Sequence, residues 1–379
     1  MQTIPAWRRA PSNSFRVRSF QLAARRIALG ICIIASASAL AVDPASAAPV
    51  TVVPSHVDAD MVTAINYGGS MVSVDSHAFV EDSYRTTSAN SRIPLQAQEP
   101  GGFAYAESLN NGNWSVGEVA PAAPADGPTL PARWSPDGRL TILGHADSGD
   151  LSNPINYVAA SINSPGTVVG SMSYPATMPN RKQQAIVWNA AGQPTVLASG
   201  GRPALARSVS DCGTIAGSIG ATGQNYVGTA TAVTWNSSRV MKVLPKLAGD
   251  TVSVANAINR YGEVAGQSGT RGVVWSPSGK IYKLASLPGW QSSSANAVNS
   301  HGAIAGQATL ADGSKVAVYW RDPQHATQLG NFTPADPEQE EYLDTDATGV
   351  SDQGVVAGWS LYHNLIGEYG QFDGAIWRP

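Results

Sequence analysis

Apolar and small residues run through this chain in short blocks, each closed by Gly, Asn or Trp. Residues 254–284 show the pattern. Val254-Ala255-Asn256-Ala257-Ile258 is one block, Asn259 to Gly262 interrupt it, and Glu263-Val264-Ala265-Gly266 is the next. Gly272-Val273-Val274-Trp275 and Lys280-Ile281-Tyr282-Lys283-Leu284 complete the set. These blocks are too short and too rich in Val and Gly for helices, and they predict four strands. Between the first two, Asn-x-x-Gly predicts a tight turn, with Asn capping its start and Gly taking the left-handed position.

The same unit recurs. Its anchor Asn or Ser falls at 66, 110, 163, 210, 259, 299 and 351, a mean period of 47.5 residues. Two copies depart from the pattern: Asn113 stands for the first Gly of the second unit, and Ser73 for the second Gly of the first. Asn is the non-glycine residue that best tolerates positive φ. Later in each unit Trp134, Trp188, Trp235, Trp275, Trp320 and Trp377 follow a small residue or Pro three positions earlier, and nine residues after the first five comes a Leu. Six tryptophans at one address read as core anchors.

Four antiparallel strands per unit predict an all-β fold, a propeller of about seven four-stranded blades. Six blades is the alternative, should residues 58–97 not form a unit, since they carry no Trp and place His77-Ala78-Phe79-Val80 where a third strand belongs. An open β-solenoid comes next. The last unit stops at Pro379 without its outer strand, and the extended segment Pro49-Val50-Thr51-Val52-Val53 is positioned to supply it and close the ring.

Residues 1–47 read as an export signal, leaving 48–379 as a single repeat-built domain. Six arginines precede the apolar run Ile27–Val42, and Ala45-Ser46-Ala47 suits cleavage. Cleavage leaves 18 basic and 26 acidic residues, a formal charge of −8. That sign argues against nucleic acid and anionic membranes as partners. No other stretch is apolar enough to span a membrane. Only Cys212 would remain, so stability must come from the core.

Ile-Asn-x-x-Gly-x-Val-x-Gly followed by Ala-x-x-Trp, a Gly turn and Leu resembles the repeat of the bacterial extracellular HAF family, and residues 77–79 read His-Ala-Phe. The resemblance runs from about residue 58 to 379. It implies export and this repeat fold, and supplies no catalytic residue. His-Ala-Phe occurs once here, with Ala-Ile-Val, Ala-Val-Thr and Ala-Val-Tyr in other units.

Chemistry is sparse. No Gly-x-Ser-x-Gly elbow, His-Glu-x-x-His pair, calcium loop or sialidase-type Asp box occurs, and no metal or cofactor is predicted. Variable loops on a rigid scaffold are where binding residues sit, and here they are 118–131, 171–184, 218–231, 330–346 and 359–374. Glu338, Glu340, Glu341, Asp344 and Asp346 cluster in one of them. Trp359, Tyr362, His363, Glu368, Tyr369 and Asp373 crowd another, and Trp290 follows a Pro-Gly turn. Aromatics beside carboxylates suit a sugar. The expected function is a secreted binding protein for a carbohydrate, an envelope component or an extracellular protein. The alternative is a polysaccharide hydrolase or lyase, which requires two acids about 5–10 Å apart, Glu368 or Asp373 with Asp344 or Asp346.

Overall fold

In the computed structural model, residues 54–77, 80–87, 91–122, 128–146, 155–174, 182–220, 230–332, 340–364 and 368–379 are described. The predicted leader, the segment 49–53 and parts of the variable loops lie outside them. All regular structure among these residues is strand, arranged as seven four-stranded antiparallel sheets. Six sheets are built from consecutive strands, and the seventh joins Ser55–His56 to the three C-terminal strands. The fold is a seven-bladed β-propeller. No helix among the described residues is long and apolar enough to cross a membrane.

The inner strands of blades 1 to 7 are Met61–Ile65, Phe103–Leu109, Asn156–Ile162, Ala204–Val209, Ser253–Ile258, Trp290–Val298 and Glu340–Val350. Each runs into the Asn-x-x-Gly turn. The turn Gly takes a left-handed φ of 76–87° in six blades, and in blade 2 Asn113 stands in its place with a φ of 62°. The second Gly has a different task. A Cβ on Gly117, Gly170, Gly217, Gly266, Gly306 or Gly358 would lie 1.9–2.0 Å from a carbonyl oxygen of the neighbouring inner strand. The backbone comes that close because every inner strand carries a bulge there.

Blades are locked to one another at the tryptophans. All six are fully buried. Each indole Nε1 donates to a carbonyl just past the outer strand of the preceding blade: Gln96, Gly144, Ala198, Pro245, Ala285 and Gly330, at 2.7–2.8 Å. The periodic Leu sits one residue earlier, and its N–H bonds the third strand of its own blade, as Leu284 does to Gly272. A large apolar ring with one satisfied donor therefore fills each of these seams without leaving a polar orphan.

Blade 1 is a true unit, and its third strand is Val80–Thr86. His77 ends the second strand and pairs with Val80, which opens the third, so the third strand begins after the His-Ala-Phe triplet. Ala78 and Phe79 lie outside the described residues. Thr86 then takes the Trp address, opposite Arg92 as Trp134 is opposite Leu140.

Ring closure takes place a few residues later than the sequence suggests. Ser55 and His56 pair with Ile376 and Ala375, and the Val57 N–H bonds Gly374 O at 2.9 Å. Gly374 stands three residues before Trp377, just as Gly272 stands before Trp275, so Val57 fills the missing Leu position.

Candidate functional site

The seven inner strands surround a channel holding a cavity of about 260 Å³. Its walls are set by the bulges. The bulged residue is always the third before the anchor: Thr63, Glu107, Ala160, Arg207, Asn256, Asn296 and Thr348. All seven line the cavity. A bulge puts its extra residue outside the ladder, so this side chain turns inward while its neighbours keep their place between blades. The site was missed in the sequence, yet it leaves a signal there. In each unit a variable residue lies between two small or apolar ones, as in Ala106-Glu107-Ser108, Ala206-Arg207-Ser208 and Ala255-Asn256-Ala257.

Several of these residues tie blades together. Thr63 Oγ1 donates to Ala106 O at 2.6 Å, and Thr348 Oγ1 to Val62 O at 2.7 Å. The Asn256 and Asn296 amides donate to Ala295 O and Ala347 O at 2.9 and 3.3 Å. Glu107 and Arg207 are the acid and the base of the ring, and each engages another group.

One turn further, the anchors form a second belt. The amides of Asn66, Asn110, Asn163, Asn259 and Asn299 donate to the anchor carbonyl of the next blade at 2.8–3.1 Å. Each Oδ1 accepts the N–H four residues on within its own turn. Ser210 and Ser351 keep that local bond, to Thr214 and Val355 N–H. Their hydroxyls are too short for the step between blades. At this end Tyr67 of blade 1 meets Arg260 of blade 5, whose guanidinium lies 5.8 Å from the ring centre. Burial pushes the Tyr67 phenol up to about 12, so it stays a neutral donor.

The residues proposed from sequence are concentrated in blade 7, with Trp290 in blade 6. The regions 340–346, 359–364 and 368–374 are strand, not loop: the inner strand extends over eleven residues and pairs with Val356–Asn364, which pairs with Glu368–Trp377. Alternating Trp, Leu, Tyr and Phe among the polar residues makes these segments good strand formers despite their charge. Tyr362 pairs with Tyr342 and Gln371, His363 with Glu341, and Glu368 with Asn364. Asp373 is opposite Ser360, itself opposite Thr345. Asp373 is thus two strand spacings, roughly 10 Å, from the inner strand that carries Asp344 and Asp346. Glu338 lies outside the described residues.

Neither tryptophan offers an open stacking face. Trp290 is 8% exposed, edge-on to Trp320 at 6.1 Å, with Nε1 donating to Gln328 Oε1 at 3.2 Å. Trp359 is 5% exposed and edge-on to Phe372 at 5.0 Å. Asp344 accepts the Lys315 N–H at 2.8 Å.

Asp346 is the unusual carboxyl. It is 4% exposed, and Oδ1 accepts from the Asn296 amide at 2.9 Å. Burial pushes its pKa up to about 7 against the opposing pull of Lys315, the Ala347 backbone and Asn296. A polar chain therefore runs from the Asn256 amide to Ser294 Oγ, on to Asn296 Oδ1, and from the Asn296 amide to Asp346. Among the described residues no three His, Cys, Asp or Glu side chains converge.

No protein-family model matches this chain, and no curated protein does. Solved structures with a similar chain course include virginiamycin B lyase from Staphylococcus aureus, 8% identical over 86% of this chain and 94% of that one, with a TM-score of 0.45. A gluconolactonase from Xanthomonas campestris is 12% identical over 70% of this chain and 96% of that one, with a TM-score of 0.37. At such distances no chemistry passes from those proteins to this one.

Proposed function

We propose that this chain is a secreted propeller that binds a small polar ligand, such as a sugar or the exposed end of a saccharide of the cell envelope, in its central channel. Export rests on the leader in residues 1–47, and the HAF-type repeat fits the same setting. The observation that carries the reading is the bulge ring. Seven blades each turn one side chain into a single cavity, and hydroxyls and amides predominate over charge. Donors and acceptors on all sides suit a molecule dense in hydroxyl groups. At about 260 Å³ the cavity is near the small end of ligand pockets, roughly 300–1,000 Å³, which favours one sugar ring over a threaded polymer.

The test is calorimetric binding of the purified chain to a panel of mono- and oligosaccharides, with release of reducing ends followed in parallel. Asn296→Ala is expected to weaken binding by about tenfold, the effect of losing roughly one good hydrogen bond. Unchanged affinity in that variant would place the ligand elsewhere. A second reading, a glycoside hydrolase or lyase, draws on Asp346: its pKa near 7 suits proton transfer at neutral pH. Turnover that disappears in Asp346→Asn would establish the enzyme reading.

A further inference from the structure

A second cavity, of about 240 Å³, opens between the turns of blades 4 and 5. It lies where the asparagine belt is broken: Ser210 replaces the Asn whose amide would cross to the next anchor carbonyl. We infer that this cleft is a binding site for a small oxyanion, a phosphate, sulfate or carboxylate group carried on a polar molecule; it adjoins the channel cavity through Ser210, Ile258 and Arg260, which line both, and its argument does not use the reading given to the channel.

Two cations face the cleft, Lys242 from blade 4 and Arg260 from blade 5. Among the described residues neither is ion-paired with a carboxylate. Arg260 is held in place by a bond to Ser300 Oγ at 3.2 Å and by the Tyr261 ring, 5.0 Å from its guanidinium carbon. Both direct partners are neutral, although Ser300 Oγ in turn donates to Asp352 at 2.5 Å, so a carboxylate lies one hydroxyl beyond the guanidinium without touching it. Thr234, Tyr261 and Ser276 add hydroxyls around the same space.

The nearby acids are directed to other neighbours, Asp352 among them, which accepts the Ser300 N–H at 2.9 Å and the Ser300 hydroxyl and does not line the cleft. Asp211 accepts the Ser164 N–H at 2.8 Å, and Glu263 accepts the Asn259 amide at 2.7 Å. Neither lines the cleft. Two unpaired cations, from different blades, in a concavity without a carboxylate are an arrangement an oxyanion completes, by charge-assisted hydrogen bonds to a fork and a point charge. A chain that is acidic once its leader is removed gains no general attraction for anions, so affinity has to arise locally.

The experiment is titration calorimetry of the purified full-length chain with inorganic phosphate, sulfate, glucuronate and, as the neutral control, glucose. Saturable binding of the anions that weakens with added salt is expected. Similar affinity for phosphate and glucuronate assigns the site to the charge alone, and a preference for glucuronate assigns it to a sugar acid. Lys242→Met should reduce anion affinity by about tenfold. Ser210→Asn should restore the belt between blades 4 and 5, raise the melting temperature and abolish anion binding by closing the cleft. No saturable binding of any anion, or binding indifferent to Lys242→Met, overturns the inference, whatever the saccharide panel shows for the channel.

Discussion

Blades 5 and 1 have the same four strands in the same order, yet different chemistry fastens them to their neighbours. Blade 5 carries Trp275, buried and donating to Pro245 O, together with Gly266 beneath the bulge. Blade 1 has Thr86 and Ser73 at those addresses. Its seam with blade 7 is held by the chain's own beginning. Arg92, stacked on Tyr84 at 3.8 Å, pairs with Asp58 at 3.0 Å and with the buried Asp75. The Gly374 N–H donates to Ala59 O at 2.8 Å. The Asn66 and Gly69 turn, by contrast, is the same as in the other blades. The features that shape the channel are thus kept in blade 1, and the features that lock its outer wall are replaced. The ring is closed where residues 55–57 meet residues 374–376, partners more than 300 positions apart in the chain.

The comparison can be broken first at the clasp. A chain beginning at Asp58, set against one beginning at Ala48, loses Val57 and the outer strand of blade 7. The expected cost is roughly 3–6 kcal/mol from buried apolar surface and several backbone bonds, read by urea unfolding. An unmoved midpoint would show that the ring holds without its clasp. Next comes the tryptophan lock: Trp275→Ala should cost about 3–5 kcal/mol, whereas Thr86→Ala should stay within about 1 kcal/mol. Equal losses at the two addresses would refute the distinction between the seams.

Below these effects lies the glycine under the bulge. In Gly266→Ser the new Cβ meets the Val254 carbonyl, with an expected loss of about 1–3 kcal/mol. Ser73→Gly, at the blade that already accommodates a side chain, should change stability by less than about 1 kcal/mol. Thermal melts of the two variants decide between a local and a general requirement.

The mildest contrast concerns Asp346, whose counterpart in blade 5 is the buried Val254. Its carboxyl is raised from the ordinary value to about 7 in the folded chain. Between about pH 4 and pH 7 the folded state therefore holds a proton that the unfolded chain has released. The contribution is fully favourable below that window and declines as pH rises through it, by no more than about 1.4 kcal/mol per pH unit. Unfolding curves of Asp346→Asn across the same range should show a flatter dependence than the parent, and parallel curves would exclude a raised carboxyl.

Much of the architecture was legible in the sequence because every unit repeats the same physical solution. Asn-x-x-Gly announces a turn wherever it occurs, and a Trp at a fixed distance from it announces a seam. Asn113 in a Gly position was readable too, since few side chains accept its φ of 62°. The long strands of blade 7 were not, because their acids and polar residues resemble a loop until cross-strand pairing supplies the register. The channel was hidden for another reason. A bulge shifts one residue out of strict alternation, so a period-two reading assigns Glu107 and Arg207 to a sheet face and not to the cavity. Trp290 and Trp359 looked like platforms because composition alone does not reveal which tryptophans are covered.

The bulge has one more consequence. Its residue stands outside the strand ladder, while the small residues on either side keep the register, and it reaches the next blade through side-chain bonds only, as at Thr63, Asn256, Asn296 and Thr348. Mutation can therefore rewrite the channel lining one position at a time, exchanging charge, amide or hydroxyl while the ladder keeps its register, with the loss of a bond between blades where Thr63, Asn256, Asn296 or Thr348 is replaced by a residue that cannot make it. Descendants of such a sequence can diverge in what they recognise long before they diverge in shape, and a designer can treat positions 63, 107, 160, 207, 256, 296 and 348 as the variable set of a library on a fixed frame.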